Sequence, residues 1–240
     1  MFSIVRKELH QFFSSLTGYI TLVLFLLVNG LFLFVLKDSN LFDFGYATLD
    51  KFFELAPWIF LFLIPALTMR TLSDEFKTGT FEILQTRPLT KWQIVWGKYI
   101  AIITAIIFVL LPTLLYVYTV RSLSIMNSID SGGITGSYLG LFFLASVFAA
   151  IGLCCSGITN NAAIAFLISA FACLIIYFGF SAISKLPALQ GKADYYIEMI
   201  GIDFHYRSIS RGVIDTRDII YFFTIIYFFL ILTVKNLDKK

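Results

Sequence analysis

Six long apolar runs, each close to the roughly twenty residues an α-helix needs to cross a hydrocarbon core of about 30 Å, limit what this chain can fold into. They fall at about residues 18–36, 52–69, 99–120, 138–158, 162–183 and 219–234. A water-facing exterior cannot be built around them, because only 14% of the 240 residues are charged while 59% are hydrophobic and the mean hydropathy is +0.87. Average soluble chains carry roughly 25% charged residues. The sequence therefore predicts an all-α integral membrane protein forming one transmembrane domain over residues 1–240, with the lipid bilayer as its first partner. The net charge of +3 is spread along the chain and gives no nucleic-acid footprint.

Ahead of the first run, Phe2, Val5, Leu9, Phe12, Phe13 and Leu16 recur at three- and four-residue steps, with Arg6, Lys7, His10 and Gln11 between them. That spacing predicts an amphipathic helix over 2–16 lying in the membrane interface. Its polar face is too long for a signal-peptide leader, and no small-x-small cleavage site follows the apolar run. In the first span Asn29 is the one strongly polar residue; it packs against a neighbouring helix or marks a pathway. Pro65 removes a backbone donor late in the second span, and Pro112 does so in the far half of the third; both are candidates for a kink or hinge. The fourth span is rich in small residues, with pairs four apart at 145/149, 146/150 and 152/156, and predicts a closely packed hairpin with the fifth.

Residues 70–98 form the longest polar interruption in the N-terminal half. Within them Thr80–Gln85 predicts a short helix with Phe81 and Leu84 on one side and Glu82 and Gln85 on the other. Gly79 precedes it, and Arg87-Pro88 ends it because the residue before a proline is pushed out of helical geometry. Thr90-Lys91-Trp92-Gln93 fits a capping box opening the long helix that becomes the third span. The other substantial loop, 185–217, carries aromatics suited to short interfacial helices and then Ser210-Arg211-Gly212-Val213-Ile214-Asp215; its candidate residues are His205, Arg211, Gly212 and Asp215.

Six spans leave both termini on one side. Basic residues number ten there against eight in the opposite loops, and the excess grows when only short loops are compared, which places both termini and residues 70–98 in the cytoplasm. Chemistry for an enzyme is missing from the sequence. The run Gly132-Gly133-Ile134-Thr135-Gly136 lacks the lysine of a phosphate loop, no HExxH or GxSxG occurs, and the spans hold no pair of ionisable residues. Cys154, Cys155 and Cys173 all lie in apolar runs and show no metal spacing.

The residues Asp74-Glu75-Phe76-Lys77-Thr78-Gly79-Thr80-Phe81-Glu82-Ile83-Leu84, then Arg87-Pro88-Leu89-Thr90, then Trp96-Gly97-Lys98, resemble the cytoplasmic loop of type 2 ABC transporter permeases. More narrowly they are similar to the gliding-motility-associated permeases of Bacteroidota. The resemblance implies a multi-pass permease of the bacterial inner membrane whose loop after the second span docks on a separate ABC ATPase subunit. It puts Glu75, Gly79, Thr80, Glu82, Arg87 and Pro88 at that contact, and Phe81 and Leu84 of the short amphipathic helix suit a groove on the ATPase. It further implies a dimer, with itself or with a second permease-type subunit, and no cofactor on this chain, ATP and magnesium belonging to the ATPase. Two other classes compete: a membrane anchor that recruits a partner without transport, and an intramembrane enzyme, which would need a convergent acid pair or nucleophile that the spans do not show.

Overall fold

The computed structural model describes residues 1–36, 48–85, 88–124, 130–187, 191 and 194–238; the side chains of Thr17, Ile83, Leu84 and Gln85 lie outside that description. Among the described residues there are helices and connecting turns and no strand. Helix α1 (Phe2–Ser14) runs along one end of the bundle and turns at Ser15 into α2 (Leu16–Phe34). Ser15 is the N-cap of α2, its hydroxyl accepting from the Gly18 amide at 3.3 Å. Next come α3 (Asp50–Thr68), the short helices α4 (Ser73–Thr78) and α5 (Thr80–Gln85), and α6 (Lys91–Leu110). The predicted capping box is present: Thr90 accepts from the Gln93 amide, and the Gln93 side chain accepts from the Thr90 amide.

Pro112 converts one turn, Leu111–Thr113, to 3-10 geometry before the chain continues as α7 (Leu114–Leu123). The Thr113 hydroxyl donates to the Leu110 carbonyl at 2.6 Å, so a side chain fills an acceptor site in the interrupted turn. Helix α8 (Ser131–Ile158) begins seven residues ahead of the apolar run at 138–158, within the stretch that holds Gly132, Gly133 and Gly136. Glycine there is tolerated because Asp130 caps the helix, its carboxylate accepting from the Gly133 amide at 3.0 Å. A three-residue turn leads to α9 (Ala162–Leu174), which passes through a π-helical turn at Ile175–Gly179 into α10 (Phe180–Ser184). Beyond it α11 (Asp194–Ile200) and α12 (Ile202–Ser210) cover the far end of the bundle, and α13 (Thr216–Asp238) returns.

Among the described residues, five helical segments are long and apolar enough to cross a bilayer: Asp50–Thr78, Lys91–Leu123, Ser131–Ile158, Ala162–Ser184 and Thr216–Asp238; counting α1 and α2, bent by 65°, as one span gives six. Helix α8 is the central pillar, since every residue from Leu144 to Gly157 is buried. A helix that is apolar all round belongs inside such a bundle. The small residues that suggested a hairpin with α9 serve more neighbours than that, because α8 packs against α13, α3 and α12 as well as α9. At Gly152 an added Cβ would lie 2.1 Å from Thr68 Oγ1, so α3 comes against the pillar here without room for a side chain. At Gly136 it would lie 2.6 Å from the Ile209 carbonyl, which fixes α12. Exposed apolar rows, such as Val23 and Leu27 on α2, Leu167 and Phe171 on α9, and Phe223 and Tyr227 on α13, face outward where lipid covers them.

One end of the bundle collects α1, α4, α5, the start of α6 and the finish of α13. Lys91 Nζ reaches Asp238 Oδ1 at 2.7 Å and the Leu237 carbonyl at 3.2 Å, so both ends of the chain and the polar segment share it. The opposite end is closed by α11 and α12, with Tyr206 donating to the Phe53 carbonyl at 2.7 Å and Ser137 to the Ser210 carbonyl at 2.9 Å.

Candidate functional site: a pinned polar segment at the terminal end

Three short devices hold the segment between α3 and α6. The first is a cap supplied by a different helix. Helix α4 starts at Leu72 without a side-chain cap of its own, and Ser156 of α8 takes that role. Its hydroxyl accepts from the amides of Leu72 at 3.0 Å and Ser73 at 3.1 Å and donates to the Met69 carbonyl at 3.1 Å. The two amides are groups that the start of α4 leaves unpaired, and the carbonyl is one left by the end of α3.

The second device is an ion-pair knot. Lys98 of α6 is 1% exposed. Its ammonium lies 2.8 Å from Glu8 of α1, 3.0 Å from Glu75 of α4 and 2.6 Å from the Thr71 carbonyl. Lys7 of α1 adds a further bond to Glu75 at 2.9 Å from the more exposed side. Burial opposes the charge of Lys7, but the hydrogen bond to Glu75 and the attraction of Glu75 and Glu8 outweigh it, so its pKa is raised. Four charged side chains from three helices thus sit in mutual contact, and α1 approaches α6 closely enough that a Cβ on Gly97 would lie 3.1 Å from Ile4.

The third is a backbone break. Gly79 adopts φ 71° and ends α4, which lets α5 leave in a new direction; only glycine takes that geometry without strain. Thr80 stands exposed, its hydroxyl 3.0 Å from that of Thr78, and Glu82 and Pro88 are exposed. Arg87 lies outside the described residues.

Two expectations for this segment need correction. Glu75 does not stand at the surface: it is drawn inward by Lys98, whose buried charge demands anionic partners. Phe81 does not project either, being 4% exposed and packed edge-on against Phe76 with ring centroids 4.9 Å apart. An apolar ring on a six-residue helix is buried under its own chain before it can serve a partner. On α1, Lys7 of the polar face bonds Glu75 while staying half-exposed and Glu8 turns inward to Lys98, while Phe2 is exposed and Ile4 is buried.

The remaining candidates disperse. Asn29 is fully buried, but its amide donates back to the Phe25 carbonyl of the same helix at 2.8 Å, and among the described residues Oδ1 has no hydrogen-bond partner. Pro65 is buried within α3. At the opposite end His205 is buried, with Nδ1 2.6 Å from Asp218 and Nε2 2.9 Å from the Met199 carbonyl, and its ring stacks on Tyr221 at 3.8 Å. Burial, with the charges of Asp203 and Glu54, raises the Tyr206 phenol above its ordinary value and keeps it a donor. Gly212, at φ 84°, packs against Gly132 and Gly133, where a Cβ would come within 3.0 Å of backbone. Asp215 caps α13, accepting from the Arg217 amide at 2.9 Å, and Arg211 is exposed. Sequence reading missed Ser156, Lys7, Glu8, Lys98 and Asp218 as site residues. For Lys98 and Asp218 the signal available was a charge next to the end of a span; Lys7 and Glu8 offered none of that kind.

These features define a multi-pass membrane protein built around one buried helix, with a polar segment tied to three other helices at the end that holds both termini. The chain matches the family model described as ABC-2 family transporter protein over residues 2–210, and it belongs to that family. It is accordingly a membrane subunit of an ABC transporter, the kind that works with an ABC ATPase and is not the ATPase itself. No curated protein matches the chain in sequence.

Proposed function

We propose that residues 70–98 are the cytoplasmic coupling segment of a permease, docking on a separate ATPase chain and passing its motion into the bundle. The observation that carries this reading is the knot at Lys98. It joins α4 to α1 and α6 through a buried cation, while Ser156 joins α4 to α8, so force applied to the α4–α5 surface reaches the spans as a unit. Gly79, Thr80, Glu82, Arg87 and Pro88 form the docking surface, and Glu75 transmits from beneath it. A stiff connection suits a device that receives motion, because a loosely tethered loop would absorb it.

Both termini are cytoplasmic in this reading, the membrane is the bacterial inner membrane, and two permease chains, identical or related, make the pathway. ATP and magnesium stay on the partner. The narrower assignment, an exporter associated with gliding motility, rests on the sequence resemblance alone. The test uses the chain co-purified with its ATPase in lipid nanodiscs. Glu82→Lys on the docking surface is expected to weaken ATPase capture; Lys98→Met beneath it is expected to retain capture and lose stimulation of ATP hydrolysis. Stimulation and capture unchanged in both variants would sink the coupling assignment, and capture with no stimulation by the unaltered chain would favour a simple anchor.

A further inference from the structure

Helices α1 and α2 meet at a bend of 65°, and the angle between them opens a cleft of about 380 Å³ against α3, α4 and α6. That volume lies within the roughly 300–1,000 Å³ of small-molecule sites. The apolar part of its lining is Phe12, Ala66, Leu67, Ala101, Ile102 and Ala105, of which the last three are buried, and the ion-paired Glu8 and Glu75 border it. Three alanines there leave space that a larger side chain would fill. The mouth is polar, with Lys7, Gln11, Arg70, Asp74, Thr78 and Thr80 around it. Ala66 and Leu67 belong to the apolar run 52–69 and Ala101, Ile102 and Ala105 to the run 99–120, whereas the residues of the mouth lie outside every apolar run, an order that matches acyl chain below headgroup.

Charge at the mouth narrows the occupant. Glu8 and Glu75 are already bonded to Lys98 and Lys7. Among the described residues neither Arg70 nor Asp74 takes part in an ion pair through its side chain. Arg70 is exposed, and Lys7 uses one of three ammonium donors on Glu75 while its side chain stays 52% exposed. One unmatched cation with spare donors beside it, and one unmatched anion, therefore face an apolar slot. We propose that this cleft binds a single zwitterionic glycerophospholipid bearing a primary ammonium group.

Its phosphate sits between Arg70 and Lys7, its ammonium donates to Asp74, and an acyl chain occupies the alanine floor. A guanidinium suits a phosphodiester because it offers paired donors in one plane. A choline headgroup has no N–H for Asp74, and a glycerol headgroup has no cation for it. The bound lipid braces α1 against α4 beside the Lys98 knot, whose partners Glu8, Thr71 and Glu75 also line the cleft. The inference does not depend on ATPase coupling, since the cleft and its charges stand whatever docks on α5.

Native mass spectrometry of the delipidated chain, titrated separately with phosphatidylethanolamine, phosphatidylcholine and phosphatidylglycerol, tests this directly. A single saturable adduct is expected with phosphatidylethanolamine, at least about tenfold tighter than with the other two, the factor expected of one charged hydrogen bond. Arg70→Ala lies on the surface and leaves the packing intact; it is expected to weaken that adduct about tenfold or more. Asp74→Asn is expected to erase the preference over phosphatidylcholine. Ala66→Phe, which fills the floor, is expected to abolish the adduct without lowering the unfolding midpoint of the lipid-free chain. Equal affinity for the three lipids, tighter binding of phosphatidylglycerol, or wild-type affinity in Arg70→Ala would each overturn the proposal.

Discussion

Replacing Lys98 with methionine keeps most of the side chain's length and removes the charge at the centre of the terminal end. The ammonium is 1% exposed and contacts Glu8, Glu75 and the Thr71 carbonyl at 2.8, 3.0 and 2.6 Å. Its loss strands two carboxylates whose side chains are 12% and 11% exposed, with only Lys7 left near them. Breaking a buried pair by removing one partner costs about 3–5 kcal/mol, because the survivor keeps its desolvation penalty. Lys7→Met supplies the control: Lys7 is half-exposed and bonds Glu75 from the solvent side, so it should cost about 0.2–1 kcal/mol. Neutralising the stranded acids as well, in Lys98→Met/Glu75→Gln/Glu8→Gln, should recover most of the loss. Reversible unfolding in mixed detergent micelles measures all three. If Lys98→Met and Lys7→Met fall within about 1 kcal/mol of each other, the argument from burial is wrong.

Gly152→Ala should separate α3 from α8, because the new methyl group meets Thr68 Oγ1 at 2.1 Å and Thr68 Cβ at 2.9 Å. A cost of about 1–3 kcal/mol is expected by the same unfolding assay, with partial relief from added Thr68→Ala, which removes the nearer atom. At the opposite end, His205→Ala should loosen α12 from α13 more than Asp218→Asn does. The first leaves the buried Asp218 carboxylate without its ring partner, the second keeps a group able to bond Nδ1, and limited proteolysis near residue 211 reads the difference. The raised pKa of Lys7 predicts a flat contribution to stability across neutral pH. A group raised above its unfolded value of 10.5 stabilises fully below that pH and loses its share as pH climbs through the higher folded pKa. The drop beyond about pH 10.5 should therefore shrink in Lys7→Met.

Much of this architecture was legible from residue order. Apolar length located the spans, the Thr90 and Gln93 pair marked where α6 begins, and Gly79 marked the break before α5, because each depends on a period or on a backbone constraint local to a few residues. The α8 start was hidden by Gly132, Gly133 and Gly136, whose helix propensity is poor. The close contacts those glycines permit with Gly212 and Ile209 override propensity, and such contacts are not local.

The pinned segment divides along the same line. Its position, its polarity and its short helix follow from the sequence, and so does the resemblance that placed the chain among ABC-2 transporters. Which of its residues face inward was settled only in three dimensions. Glu75 and Phe81 share a short stretch with Gly79, Thr80 and Glu82, and no local rule separates them. Lys98 lies 23 positions beyond Glu75 and 90 beyond Glu8, and Ser156 lies 84 beyond Leu72. A buried ammonium needs acceptors, and an uncapped helix start needs an oxygen. Both needs can be read from a sequence, but the groups that meet them are chosen by how the helices pack.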